Sequence, residues 1–410
     1  MHRTLMMFAA MLILALLARP LAERLRLPFP SLLVILGFAG SEILVAAGVD
    51  TGLRADSFHD LIFFIFLPVL IFEAAFHIDA RQLLRNLAPI LVLAVPGLLL
   101  STLITAALVY YGIAHASGFP WIAALLTGAL LSATDPVAVV ELFKRLGVPD
   151  RLALMVDGES LFNDATAIVL FSLLLHLALS PAAGYNLADA GLRMILVFCG
   201  GALVGLVNAL VFQLLSRTVR EPVLMGLITL LSAYAAFLMA EAVLHVSGVM
   251  AVLVTGLVMG RGIRAGGADT GGALFVHQLW SMNAFIANAL VFLLMGATVT
   301  LAMFQERWLA MLIGVGGVLV ARAITVFGLT PLAGLLPTVE PIPRSHRPAI
   351  YWGGLRGAVT LALALSLPVE LDYWWTIQSI AFGVVLFTLF VQAPTMPWML
   401  RRTGLAEETR

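Results

Sequence analysis

The chain has 410 residues, of which 61% are hydrophobic and 11% charged, and its mean hydropathy is +1.05. Soluble domains carry about 25% charged residues, so these values exclude a soluble globular enzyme, a disordered chain and a secreted disulfide scaffold. They point to an all-α polytopic membrane protein. The 23 basic residues balance the 23 acidic ones, which argues against nucleic acid as a partner. The single cysteine, Cys199, excludes an intrachain disulfide and a cysteine-built zinc site.

A spanning helix needs about 20 mostly apolar residues. Thirteen such runs are expected, near 4–19, 29–48, 58–77, 87–112, 120–142, 151–179, 187–215, 221–244, 246–260, 279–302, 307–335, 347–367 and 374–400. With the N-terminus outside, every predicted inside loop is basic: Arg19, Arg24 and Arg26 follow the first run, and Lys144, Arg145 and Arg151 follow the fifth. The outside segments hold only Arg3, Arg54, Arg193 and Arg307. This alternation obeys the positive-inside rule and places the C-terminus inside. The residues after Trp398 form a short tail, too short for a regulatory domain.

Each charge at the centre of a spanning helix costs about 2.5–3.5 kcal/mol. Six residues stand in that position and are functional candidates: Glu73, Asp135, Glu159, Asp164, Arg322 and Arg356. Four negatives against two positives leave an excess that attracts a cation or a proton. In the third run, Glu73 comes late, with His77, Asp79 and Arg81 close behind. In the fifth run, Thr134-Asp135-Pro136 predicts a broken helix, because proline removes a backbone donor and clashes with the preceding turn. Irregular backbone at membrane depth is tolerated where it is buried or lines a water-filled cavity.

The sixth run opens with Asp157-Gly-Glu-Ser-Leu-Phe-Asn-Asp164. Asp157 is read as the polar start of the helix. Ser160 precedes Asp164 by four residues and Glu159 precedes Asn163 by four, so both pairs share one face. Mid-span Arg322, in the eleventh run, needs a carboxylate; Glu159 is assigned to it, leaving Asp164 free to titrate. In the twelfth run, Gly353, Gly354 and Gly357 surround Arg356 and predict a second interruption. Runs 5 and 12 match in position if runs 1–6 and 8–13 are inverted repeats, and paired interruptions of this kind mark the binding site of a secondary transporter. Cys199 is read as a packing residue.

At these residues the chain resembles the monovalent cation/proton antiporter 1 family of bacterial sodium/proton antiporters and animal sodium/proton exchangers. The resemblance rests chiefly on 133–170 and on Gly353-Gly-Leu-Arg-Gly-Ala358, with Phe72-Glu73-Ala74, Ser247-Gly248, Asn288 and Ala321-Arg322 in support. It implies thirteen helices, two of them crossed and unwound (spans 5 and 12), and a homodimer in a bacterial inner membrane. Residues 1–86 and 187–302 would form the dimer scaffold, 87–186 and 303–402 the transport core, and 403–410 a cytoplasmic tail. The family's sodium ligands fall on Asp164, Asp135, Ser160, the Thr134 backbone carbonyl and Glu73. Its structural ion pair falls on Glu159 and Arg322. Asn163, where electrogenic relatives carry a second Asp, implies electroneutral one-for-one exchange of sodium or lithium for protons at Asp164.

No cofactor and no catalysis are implied, and the absence of a GxxxxGK[ST] motif points to secondary transport. Potassium/proton exchange by the same machine is the nearest rival, since both ions accept the same oxygens. A cation channel would need a repeated filter sequence. An intramembrane aspartyl hydrolase using Asp135 and Asp164 leaves the buried arginines unexplained.

Overall fold

A computed structural model describes residues 2–25, 27–46, 48, 61–113, 118–179, 187–219, 221–265, 271–335 and 340–406. Among these residues there are helices and no strand. A polypeptide in hydrocarbon must satisfy its backbone groups internally, and here each apolar run does so by coiling. The helices are α1 (His2–Leu25), α2 (Phe29–Ala46), α3 (Leu61–His77), a short α4 (Ala80–Arg85) and α5 (Leu87–Gly112). An interrupted pair follows, α6 (Trp121–Ser132) and α7 (Val137–Arg145). Then come α8 (Asp150–Leu179), α9 (Leu187–Ser216), α10 (Pro222–Val243), α11 (Gly248–Ala265), α12 (Gly271–Thr298) and α13 (Leu301–Ala333). A second interrupted pair, α14 (Arg347–Trp352) and α15 (Ala358–Leu365), precedes α16 (Trp374–Arg402). Nine stretches among the described residues are long and apolar enough to cross a membrane, and α2 and α3 are shorter apolar helices.

The helices pack in two groups. In one, α2 lies along α12, and α11 sits between α9 and α3. In the other, α5 packs against α6 and α13, α13 against α16, and α8 against α6. The closest approach in the first group needs glycine on both sides. A Cβ at Gly296 would lie 2.2 Å from the Val34 carbonyl oxygen, and one at Gly37 would lie 2.2 Å from that of Leu293. Small residues of this kind let membrane helices pack backbone to backbone.

α8 matches the expected run 151–179, beginning at Asp150, where the Leu152 N–H bonds the Pro149 carbonyl at 2.9 Å, but other details differ from the sequence expectation. Asp157 is therefore two turns inside the helix and is not its start. α12 ends at Thr298 and α13 begins at Leu301. The polar Gln305-Glu306-Arg307 stretch, read as a loop, is the second turn of α13, with Glu306 exposed at the bundle's edge. Cys199 is exposed on α9 rather than packed. Residues 58–60, expected to open the third run, lie outside the described residues, as do Arg26 and Arg54. Asp79 ends the α3–α4 turn by accepting the Arg81 N–H at 2.8 Å and the Gln82 N–H at 3.3 Å. Those donors hold its carboxyl below the usual carboxylate value.

Candidate functional site

The two interruptions meet. The Asp135 N–H donates to the Leu355 carbonyl at 2.8 Å, joining the unwound backbones of the α6–α7 and α14–α15 breaks. Each break frees carbonyls at the end of one half-helix and N–H groups at the start of the next, and the buried charges satisfy both kinds. The Asp135 carboxylate accepts from the Val137 N–H at 3.1 Å and the Ala358 N–H at 3.3 Å. One anion thus caps the N-termini of α7 and α15, where the helix dipoles are positive. Arg356 does the converse at the C-terminus of α6, donating Nη1 to the Ser132 carbonyl at 3.0 Å and the Ala133 carbonyl at 2.8 Å. Arg322 serves α14, donating Nη2 to the Ile350 carbonyl at 3.0 Å, while it forms a two-pronged ion pair with Glu159. Both members of that pair are buried, as is Arg356.

The glycines give these contacts room. A Cβ at Gly354 would sit 2.9 Å from Arg322 Nε, and one at Gly357 would sit 1.9 Å from Asp135 Oδ2. Gly353 closes the last turn of α14 through its N–H, 2.8 Å from the Ala349 carbonyl. Gly357→Ala is therefore expected to push the Asp135 carboxylate off its two N–H donors at a cost of about 1–3 kcal/mol. Thermal melting in detergent reads this cost, and most of it should vanish in an Asp135→Gly background, which also removes the Asp135 Cβ, 2.4 Å from the added methyl.

Beside the breaks, α8 presents its polar stripe. Asn163 donates Nδ2 to the Ser132 carbonyl at 3.1 Å and to Thr134 Oγ1 at 3.2 Å. Thr134 Oγ1 lies 2.8 Å from Ser160 Oγ. Two oxygens on this stripe, Asp164 Oδ1 and Asn163 Oδ1, are buried with no hydrogen-bond partner. Asp135, the Thr134 peptide N–H and Arg356 are the electrostatic neighbours of Asp164. Buried acceptors without donors are costly, and a proton or a hard cation would relieve them. Asp164, Asp135, Asn163, Ser160 and Thr134 are thus brought together. No cluster of three or more His, Cys, Asp or Glu among the described residues could hold a metal ion.

A funnel of about 720 Å³ leads to the breaks, lined by Asp135, Leu355, Arg356, Asn288 and Glu73 among others. Its rim carries Arg19, Glu23, Glu141 and Arg145. Glu73 stands on the α3 wall, half-buried, with its carboxylate 3.3 Å from His77 Nδ1. Asp157, inside α8, lies within electrostatic reach of Glu73, Lys144 and Asp135, a neighbourhood its reading as a helix start missed. Spacing held the signal: 157, 160 and 164 fall on one helical stripe.

Two further residues were not singled out from sequence. Thr388 accepts the Arg356 N–H at 3.3 Å through Oγ1, and Gln392 donates to the Trp352 carbonyl at 3.3 Å. Both belong to a π-helical turn in α16, Thr388–Gln392, a distortion that recurs at functional sites. Nothing local in their apolar run marked them.

The family model for the transmembrane sodium/hydrogen exchanger matches residues 11–402. The chain belongs to the sodium/hydrogen exchanger family. Among its relatives, the Na(+)/H(+) antiporter ApNhaP of Aphanothece halophytica is 37% identical over 380 residues, covering 93% of this chain and 70% of that one. The low-affinity Na(+)/H(+) antiporter NhaS1 of Synechocystis is 35% identical over 411 residues, covering 99% of this chain and 75% of the relative. In fold, this exchanger-family chain is similar to the sodium proton antiporter MjNhaP1 of Methanocaldococcus jannaschii. Their TM-score is 0.80 at 21% identity, over 95% of this chain and 98% of that one. The family member described here is a multi-pass membrane protein.

Proposed function

We propose that this chain is a secondary antiporter exchanging sodium, or lithium, for protons one for one, by competition of the two cations for Asp164. The observation that carries the reading is the pair of donor-less buried oxygens on Asp164 and Asn163, set beside two helix breaks at the end of a funnel. Asp135 is committed to two peptide N–H donors and position 163 is an amide, so one carboxylate remains for exchange. Asp135, Ser160, the Thr134 carbonyl and Glu73 complete the proposed ion path. A site neutralised by either cation crosses the low-dielectric barrier, whereas the empty anionic site does not. That coupling needs no additional gate, no cofactor and no catalytic step. The names of the relatives favour sodium.

Leaving out the short α4 and counting each interrupted pair once is in keeping with thirteen spans, which we read as two inverted repeats, and the Asp135–Leu355 contact supports a crossing of the two interrupted helices. The two packing groups support a division into a scaffold (1–86 and 187–302) and a moving core (87–186 and 303–402), which rock to give alternating access. The exposed apolar faces of the scaffold suit a homodimer. The basic loops favour a cytoplasmic C-terminus in a bacterial inner membrane, and then the funnel opens inward. The alternative of the same fold is potassium/proton exchange.

The test is proton flux in proteoliposomes under a pH gradient, with sodium, lithium or potassium added and the voltage clamped by valinomycin in potassium-containing buffers. Sodium- and lithium-driven flux that ignores voltage is expected. A membrane current during transport would refute one-for-one exchange, and flux driven by potassium alone would favour the alternative.

A further inference from the structure

A second groove, of about 500 Å³, lies on the seam between the two packing groups, away from the breaks. It is lined by Leu83 on α4, Phe162 on α8, Leu206 on α9, and Leu257 and Val258 on α11. Its polar lining comes down to the Gln213 amide and the Arg261 guanidinium, and no acidic side chain faces it. The Gln213 side chain lies over Gly262, where a Cβ would stand 2.1 Å from Nε2. Arg261 is exposed and makes no hydrogen bond or ion pair with any described residue. Its neighbour one turn on, Arg264, is committed to the Phe76 and Ile78 carbonyls at 2.7 Å each. An arginine with no partner among the described residues therefore lines an otherwise mostly apolar slot in a protein whose surroundings are lipid.

We propose that this groove binds one anionic glycerophospholipid, an acyl chain lying in the slot and the phosphate on Arg261. The slot matches the chain, because burying apolar surface in it removes nothing polar from water. The headgroup matches the rim, because guanidinium pairs with phosphate through two parallel N–H donors. Arg81, Arg85 and Arg217 are exposed nearby on α4 and just past α9, at the basic end of the bundle. Basic pockets between membrane helices on the inner side favour anionic headgroups over zwitterionic ones. The occupant would bridge the two helix groups whose relative motion the exchange reading requires. The site itself rests only on the seam, its apolar walls and an arginine with no partner among the described residues.

The test is native mass spectrometry of the detergent-solubilised chain, mixed with equal amounts of phosphatidylglycerol and phosphatidylcholine of the same acyl composition. The expected result is one retained phosphatidylglycerol per chain, in several-fold preference to phosphatidylcholine. Arg261→Gln should abolish the preference, and Val258→Trp, which fills the slot, should abolish retention. Both variants should melt where the native chain does in lipid-free detergent, since neither residue supports the breaks. Equal retention of the two lipids by the native chain would overturn the proposal, as would preferential retention by either variant. Because retention is read without transport, failure of this site and failure of the antiport reading are distinguishable.

Discussion

Asp164→Asn is expected to abolish sodium-driven proton flux in proteoliposomes while leaving the chain folded. The asparagine keeps the volume and the neighbours of Asp164, so α8 should still pack against α6. It removes the one carboxylate oxygen of the stripe that is buried with no donor. The variant can neither release a proton nor neutralise a cation, so neither flux has a carrier. Asp135 does not substitute, because its oxygens cap α7 and α15. The expected loss is to background flux, with melting in detergent close to native. Flux at the native rate would discard Asp164 as the exchanging group.

The largest stability effect is expected from Arg322→Met. Removing one partner of a buried ion pair leaves the other charge uncompensated, at about 3–5 kcal/mol. Here the orphan would be Glu159, which is almost fully buried, and the Ile350 carbonyl at the end of α14 would lose a donor as well. A strongly lowered melting midpoint is expected. The double variant Glu159→Gln/Arg322→Met should recover most of the loss, because replacing a whole buried pair is often near neutral. The remainder should reflect the unpaired Ile350 carbonyl. If the double variant melts as low as Arg322→Met alone, the pair is not the source of the effect.

Residues whose chemistry is local were legible in the sequence. Pro136 follows Thr134 and Asp135, side chains that can satisfy freed backbone groups, unlike Pro20 and Pro331 inside unbroken helices, and three glycines around Arg356 weaken a helix, so both interruptions could be read from a few letters. Glu159 and Arg322 were matched across 163 residues because buried charges are few and need partners. What was hidden are the contacts to backbone. Ala358 donates to Asp135 from 223 residues away through its peptide N–H, a donor that nearly every residue owns and no sequence pattern marks. The carbonyls held by Arg356 and Arg322 were hidden for the same reason. Asp157 was misread because a charge beside an apolar run resembles a helix boundary, although the run itself was bounded at 151, one residue from the observed Asp150. Glu306 and Arg307 misled in the same way between α12 and α13.

The claim at the centre of this account is that sodium and the proton occupy one carboxylate in turn. The measurement that tests it most directly is the apparent KM for sodium in proteoliposomes across a series of pH values. Simple competition for one group makes that KM rise by about tenfold per pH unit on the acid side, the slope of a single displaced proton, while the maximal rate at saturating sodium stays level. A KM that is flat with pH, with the maximal rate carrying the whole pH dependence, would contradict shared occupancy of Asp164 and require separate sites for the two ions.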